Sequence, residues 1–210
     1  MKAIFWDVDG TLLETEKLHK RCLVKICGQA GFFLDTKKIK VGVSHYDLWN
    51  MLNLHNYFSS RDEWLRLLYA EYKLKSDLIK IREGILNILI YLKTLGLKQA
   101  VVSNAVREIV DLNLTQNSLA HFFECSISRN DVLNPKPDGE PYLAALKHFD
   151  LNFWEALAVE DTPLGIQAAK NAGFIAVAFP NEHTHKMDFG LADFVIQHPS
   201  QLIEIINQKK

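Results

Sequence analysis

Apolar and polar positions follow two rhythms along this chain. The first is a short unbroken run, Ala3, Ile4, Phe5 and Trp6, cut off by Asp7, Val8, Asp9 and Gly10. A run of that length, bounded by a turn signal, predicts a strand buried on both faces. The second rhythm begins at once. Over 15–30, Leu18, Cys22, Leu23, Ile26, Cys27 and Ala30 recur at three- and four-residue steps, which predicts an amphipathic helix stopped by Gly31. Leu48, Met51 and Leu52 mark another helical segment over 42–54. Ser60 with Glu63 has the capping-box spacing and opens a helix that turns Trp64, Leu65, Leu68 and Tyr72 inward. Residues 15–80 thus carry helical periodicity and no strand.

Past residue 80 the two rhythms alternate. Helical stripes over 84–95, 106–114, 141–149, 164–172 and 202–206 are interleaved with apolar runs at 99–102, 122–127, 156–159, 175–179 and 194–196. Gly165, Ala168, Ala169 and Ala172 are small enough to let their helix lie close to a sheet, and Gly173 suits its C-terminus. Strands alternating with helices predict an α/β fold with a doubly wound parallel sheet. The helical block after the first strand then reads as an insertion.

Composition narrows the function classes. The chain has 210 residues, 48% hydrophobic, with a formal net charge of -1. That balance excludes a strongly basic platform, so neither nucleic acid nor an anionic membrane is expected as a partner. No apolar run approaches a membrane span, and the first stops at Asp7, too soon for a signal peptide. Cys22, Cys27 and Cys125 lack metal-ligand spacing and read as free thiols in a reducing cytoplasm. The oligomeric state is not legible in the sequence, and a monomer is compatible with it.

The candidate chemistry lies at the strand ends. Asp7 and Asp9 follow the first strand, Ser103 and Asn104 the second, and Glu160 and Asp161 the fourth. In a parallel sheet these ends open on one edge, where ligands of open α/β folds bind. Bare carboxylates gathered there repel one another unless a cation or a proton neutralises them. A loop carrying Lys136 precedes another helix. Singly, each piece has a structural reading: helix caps, a turn, a solvated lysine. Their joint order is the signal.

Asp7-Val8-Asp9-Gly10-Thr11 resembles the first motif of the haloacid dehalogenase superfamily, and Ser103, Lys136 and Glu160-Asp161 resemble its second, third and fourth. The stretch 159–173, Val-Glu-Asp-Thr-Pro-Leu-Gly-Ile-Gln-Ala-Ala-Lys-Asn-Ala-Gly, is similar to the subgroup of phosphoglycolate phosphatases, β-phosphoglucomutase and sugar-phosphate phosphatases. The resemblance implies a catalytic core over 1–14 and 81–210 and a helical cap over 15–80. It implies a Mg²⁺-dependent phosphatase of a small phosphorylated metabolite, working through an aspartyl phosphate. Asp7 would be the nucleophile and Asp9 the acid and base. Asp7, the Asp9 carbonyl, Glu160 and Asp161 would hold Mg²⁺. Ser103, Asn104, Thr11 and Lys136 would hold the phosphoryl group, Thr11 also orienting Asp9 and Lys136 also neutralising Asp7. The sequence departs from the family pattern at Glu14, Pro135 and Gly139, none of which removes a functional side chain.

Three other functions compete. Asp9 argues against a dehalogenase, which lacks the second acid. A sugar phosphomutase of the β-phosphoglucomutase type needs cap cations for a second phosphate, and the similar positions here are Val41 and His45. A catalytically silent binding protein would be free to lose motif residues that this chain retains. His19 has hinge and core readings. The aromatic positions Tyr46, Trp49, Tyr57, Phe58 and Trp64 have pocket and cap-core readings, and His183 with His185 reads as a solvated loop.

Overall fold

Strand β1 (Ala3–Trp6) is fully buried because it has a neighbour on each side. The computed structural model of the protein describes residues 1–36, 39 and 42–208. In it, β1 pairs in parallel with β2 (Lys98–Val102) and with β4 (Ala156–Glu160), placing Trp6 opposite both Val101 and Val159. β3 (Cys125–Ile127), β5 (Ile175–Ala178) and β6 (Phe194–Val195) extend the sheet to the order β3-β2-β1-β4-β5-β6. All five pairings are parallel. The order reverses direction at β1, and a doubly wound sheet opens its ligand crevice at such a point. The third strand is shorter than the predicted run: 120–122 turn helically first.

Residues two apart share a face, and the two faces differ in kind. Ile4, Trp6, Val101, Leu157, Val159 and Val177 line one face, with side chains of α4 (Ile85–Thr94), α5 (Arg107–Gln116) and α8 (Leu202–Gln208) in the same cluster. Ala3, Phe5, Ala100, Ala156, Ala158 and Ala176 line the other, against α6 (Glu140–Phe149) and α7 (Pro163–Asn171). Alanines in the sheet and Gly165, Ala168 and Ala169 in α7 let that helix lie close over the β4 end.

Between β1 and α4 the described residues form helices: α1 (Glu16–Gln29), α2 (His45–Met51) and α3 (Arg61–Lys73), with shorter helical turns. Trp64 and Leu68 of α3 are buried in one cluster with Leu23, Ile26 and Cys27 of α1. Replacing Trp64 by alanine would cost roughly 3–5 kcal/mol of stability, the usual range for a buried large aromatic. The Ser60 hydroxyl accepts from the Glu63 amide at 3.1 Å, but the Glu63 carboxylate reaches back to the Ser59 amide instead, so the capping box is offset by one residue. The chain enters and leaves this helical segment through paired connections, Leu13 bridging Ile81 and the Glu14 amide donating to the Lys80 carbonyl. Lys40 and Val41, the latter one of the two positions compared with a mutase, lie outside the described residues. Among the described residues no helix is long and apolar enough to cross a membrane.

Candidate active site

The sheet brings the motif residues together by extending one residue past its strands. The Asp7 amide donates to the Val159 carbonyl at 3.0 Å and the Ser103 amide to the Ile127 carbonyl at 2.9 Å. Asp7, Ser103 and Asp161 therefore leave neighbouring strands at about one level. Gly10 turns the chain back with φ +85; a side chain there would lie 2.3 Å from Asp161 Oδ2, so both the conformation and the space require glycine.

Lys136 reaches this edge from the loop before α6. Its Nζ donates to Asp7 Oδ1 at 2.8 Å, to Glu160 Oε1 at 2.5 Å and to the Val102 carbonyl at 2.7 Å, using all three ammonium protons. Glu160 Oε1 also accepts from the Tyr142 hydroxyl. Glu160 occupies the space above Gly165, where an added Cβ would meet Glu160 Oε2 at 2.0 Å. Glu160 thus needs a glycine at position 165, in the first turn of α7.

Among the described residues, Asp7, Glu160 and Asp161 each offer an oxygen, all within 4.8 Å of one another, and all three side chains are buried. Burial pushes the Asp161 carboxyl well above the usual range, and the charges on Asp7 and Glu160 add to that. Burial also raises Asp7, against the pull of Lys136. Glu160 is pushed up to about 7, by burial first and then by Asp7, again against Lys136. Lys136 itself is raised: burial disfavours its charge, but Asp7 and Glu160 more than compensate. Three buried carboxylates facing one ammonium leave an excess of negative charge. Hard oxygen donors in that arrangement fit a small divalent cation.

Other residues acquire partners that the motifs alone do not indicate. The Thr11 hydroxyl donates to Asp161 Oδ1 at 3.3 Å rather than to Asp9. The Asn104 amide is engaged by the Lys136 backbone, accepting from its N–H and donating to its carbonyl, both at 3.0 Å. Asn104 thereby fixes the lysine loop. The Ser103 hydroxyl accepts from the Ala105 amide at 3.0 Å, which leaves its own proton to donate. Asp9 Oδ1 meets His19 Nε2 at 3.3 Å and Asn113 Nδ2 at 3.4 Å. Burial would raise Asp9, but the hydrogen bond and charge of His19 carry it below its usual value.

Four residues in this arrangement were not foreseen from sequence. Asn181 donates to Asp161 Oδ2 at 2.7 Å and to the Gly10 carbonyl at 3.0 Å. Arg82 donates to the Gly10, Phe179 and Pro180 carbonyls at 2.7–2.9 Å. Tyr142 reads as core by its spacing. Asn113 carries a signal in hindsight, being a fully buried amide on the apolar stripe of α5.

A cavity of about 150 Å³ opens over these groups, lined on the sheet side by Asp7, Asp9, Ser103 and Lys136. Its opposite wall comes from the helical segment and includes His19, His45, Leu48 and Tyr69. His45 is lowered to about 3 by burial and by the neighbouring His19, so its ring is neutral near pH 7. Of the aromatic positions, Trp64 is buried in the core and Tyr46 lines the cavity, whereas Tyr57 is exposed.

Known proteins are similar to this one over most of the chain. The pyrophosphatase PpaX of Bacillus velezensis is 27% identical over 215 residues, covering 99% of this chain and 97% of the relative. A phosphorylated carbohydrates phosphatase of Thermotoga maritima is 25% identical over 177 residues, covering 82% of each chain. The crystal structure of β-phosphoglucomutase (pgmB) from Clostridium difficile superposes with a TM-score of 0.83 at 25% identity, covering 100% of this chain and 96% of that chain. The family described as haloacid dehalogenase-like hydrolase matches residues 4–179, from the first strand to the end of the fifth, and the chain belongs to that family.

Proposed function

We propose that this protein is a Mg²⁺-dependent phosphatase that hydrolyses a small phosphate monoester through an aspartyl phosphate on Asp7. The observation that carries the reading is the triple contact of Lys136: its Nζ lies 2.8 Å from Asp7 Oδ1 inside a cluster of three buried carboxylates. Lys136 opposes the effect of burial on Asp7 and so favours its nucleophilic carboxylate form, and the same ammonium is placed to take charge from an incoming phosphoryl group. Asp7, Glu160, Asp161 and the Asp9 carbonyl would hold Mg²⁺. When bound, the ion neutralises phosphoryl oxygens and orients the group for in-line attack.

The chain's own residues divide the remaining work. Asp9 gives a proton to the leaving oxygen and later takes one from the hydrolytic water. Ser103 donates its hydroxyl proton to the phosphoryl group. Asn104 acts by holding the loop of Lys136. Thr11 acts by steadying Asp161, whose oxygen it meets. Residues 1–14 and 81–210 form the catalytic core, and 15–80 form a cap that closes the cavity; the paired connections at Leu13 and Ile81 support this division. The free cysteines Cys22, Cys27 and Cys125 support a reducing, cytoplasmic setting.

The phosphatase names of the relatives from B. velezensis and T. maritima support hydrolysis. The likeness to a β-phosphoglucomutase keeps a mutase as the second reading. Against it, His45, at one compared position, is neutral and supplies no charge for a second phosphate. Purified protein should release inorganic phosphate from members of a panel of hexose and pentose phosphates, phosphoglycolate and pyrophosphate, only with Mg²⁺ present. Interconversion of sugar phosphates without phosphate release would sink the phosphatase reading. Full activity in excess EDTA would sink the metal requirement.

A further inference from the structure

Asp9 Oδ1 lies within hydrogen-bond distance of His19 Nε2 from α1 and Asn113 Nδ2 from α5, at 3.3 and 3.4 Å. Both are held by the same third residue. The Tyr72 hydroxyl donates to Asn113 Oδ1 at 3.1 Å, and the Tyr72 ring stacks on the His19 ring with centroids 4.5 Å apart and planes 27° apart. Tyr72 comes from α3 and is 1% exposed.

This geometry is directional. An amide has one acceptor oxygen and one donor nitrogen. Because the Tyr72 hydroxyl donates to the Asn113 oxygen, the amide nitrogen is turned toward Asp9. Reversing the amide would set its oxygen against the carboxylate and leave the tyrosine proton without its acceptor. The ring stack acts on the other neighbour, limiting rotation of the imidazole that meets the same oxygen. Asn113 is fully buried on a helix face otherwise lined by Ile109, Val110 and Leu114. A buried polar group is costly unless it is hydrogen-bonded, so an amide at this position needs both of its partners.

We infer that Tyr72 and Asn113 are positioning residues for proton transfer by Asp9: the tyrosine on α3 sets the amide and the imidazole, and these set the direction of the Asp9 carboxylate. The inference rests on the assignment of Asp9 as acid and base. It adds that the orientation depends on the contact between α3 and α5 made by Tyr72 and Asn113.

The test uses the full-length protein, with single-turnover formation of phosphoenzyme measured on an alkyl phosphate and on p-nitrophenyl phosphate. The second leaving group hardly needs a proton, so loss of Asp9 alignment should weigh mainly on the first. Asn113→Leu is expected to slow the alkyl ester about 10- to 100-fold and Tyr72→Phe about 3- to 10-fold, within the ~10²–10⁴ that proton transfer supplies. Both should leave p-nitrophenyl phosphate within about threefold, and neither should add a further loss in an Asp9→Asn background. Tyr72→Phe removes one oxygen and keeps the ring stack, so it reports even if Asn113→Leu fails to fold. Equal losses on both substrates, or losses that add fully to Asp9→Asn, would overturn the inference. If Asp9→Asn itself shows no leaving-group dependence, the assignment of Asp9 fails and this inference falls with it.

Discussion

The sheet edge and the helical segment face each other across one cavity but are built differently. On the sheet side, Lys136 meets Asp7 and Glu160 at 2.8 and 2.5 Å, all three buried. On the helical side, His19 meets Asp9 at 3.3 Å, and much of the wall is aromatic or aliphatic. Strong, short, buried contacts are what pre-organised charge stabilisation needs. A looser wall of side chains selects by shape and desolvation instead. The contrast implies that chemistry belongs to the core and choice of substrate to the helices. Substitutions on the two sides should therefore change different kinetic constants, except at His19 and Tyr72, which reach toward Asp9 from the helical side.

The largest expected effect is on the sheet side. Asp9→Asn should lower kcat for an alkyl phosphate by about 10²–10⁴ with KM little changed, the range for losing a positioned proton donor. Steady-state kinetics at saturating Mg²⁺ checks this, and a change confined to KM would contradict it. Next in size, Lys136→Met should lower kcat by at least about 10²–10³, as for loss of one preorganised charge-stabilising donor. Recovery of the rate by simply raising substrate concentration would place Lys136 in binding rather than in chemistry.

Metal and pH should be linked at the same edge. The folded protein raises Asp7, Glu160 and Asp161, with Glu160 at about 7. Without metal, such groups hold protons more tightly folded than unfolded, so stability is greatest below the unfolded carboxyl range and falls as pH rises toward the folded values. Mg²⁺ would compete with those protons, so its stabilisation should grow as pH rises through about 7. At 100-fold excess over Kd the gain is about 2.7 kcal/mol, or roughly 5–10 °C for a chain of this size. Melting curves with and without Mg²⁺ check it, and a gain that shrinks with rising pH would contradict the cluster as the metal site. The smallest effect belongs to the helical wall. Tyr69→Phe removes the hydroxyl 3.4 Å from His45 Nδ1 and should raise KM by about two- to tenfold, the worth of one hydrogen bond, while kcat holds. An equal fall in kcat would erase the distinction between the two regions.

The sequence made the sheet edge legible because three of the motif residues directly follow their strands. Asp7, Ser103 and Asp161 needed only the parallel sheet to meet. The partners that tune them were not legible, because they act across the fold. Asn181 and Arg82 meet the Gly10 carbonyl from segments far along the chain, and neither sits in a pattern that marks it. The resemblance implied that Thr11 orients Asp9, whereas in the fold its hydroxyl donates to Asp161. Asn113 came nearest to being read, as the polar break in the stripe of α5. The helical segment was legible as helices through its periodicity, but apolar spacing does not tell a cavity wall from a core. Trp64 and Tyr46 show both outcomes.

The most direct test is to trap the covalent intermediate. Protein mixed with substrate and Mg²⁺, quenched in acid within one turnover, should carry one phosphate, mapped by mass spectrometry to the peptide containing Asp7. Asp7→Asn should carry none and turn over at background. A phosphate found on any other residue, or retained in Asp7→Asn, would contradict the account.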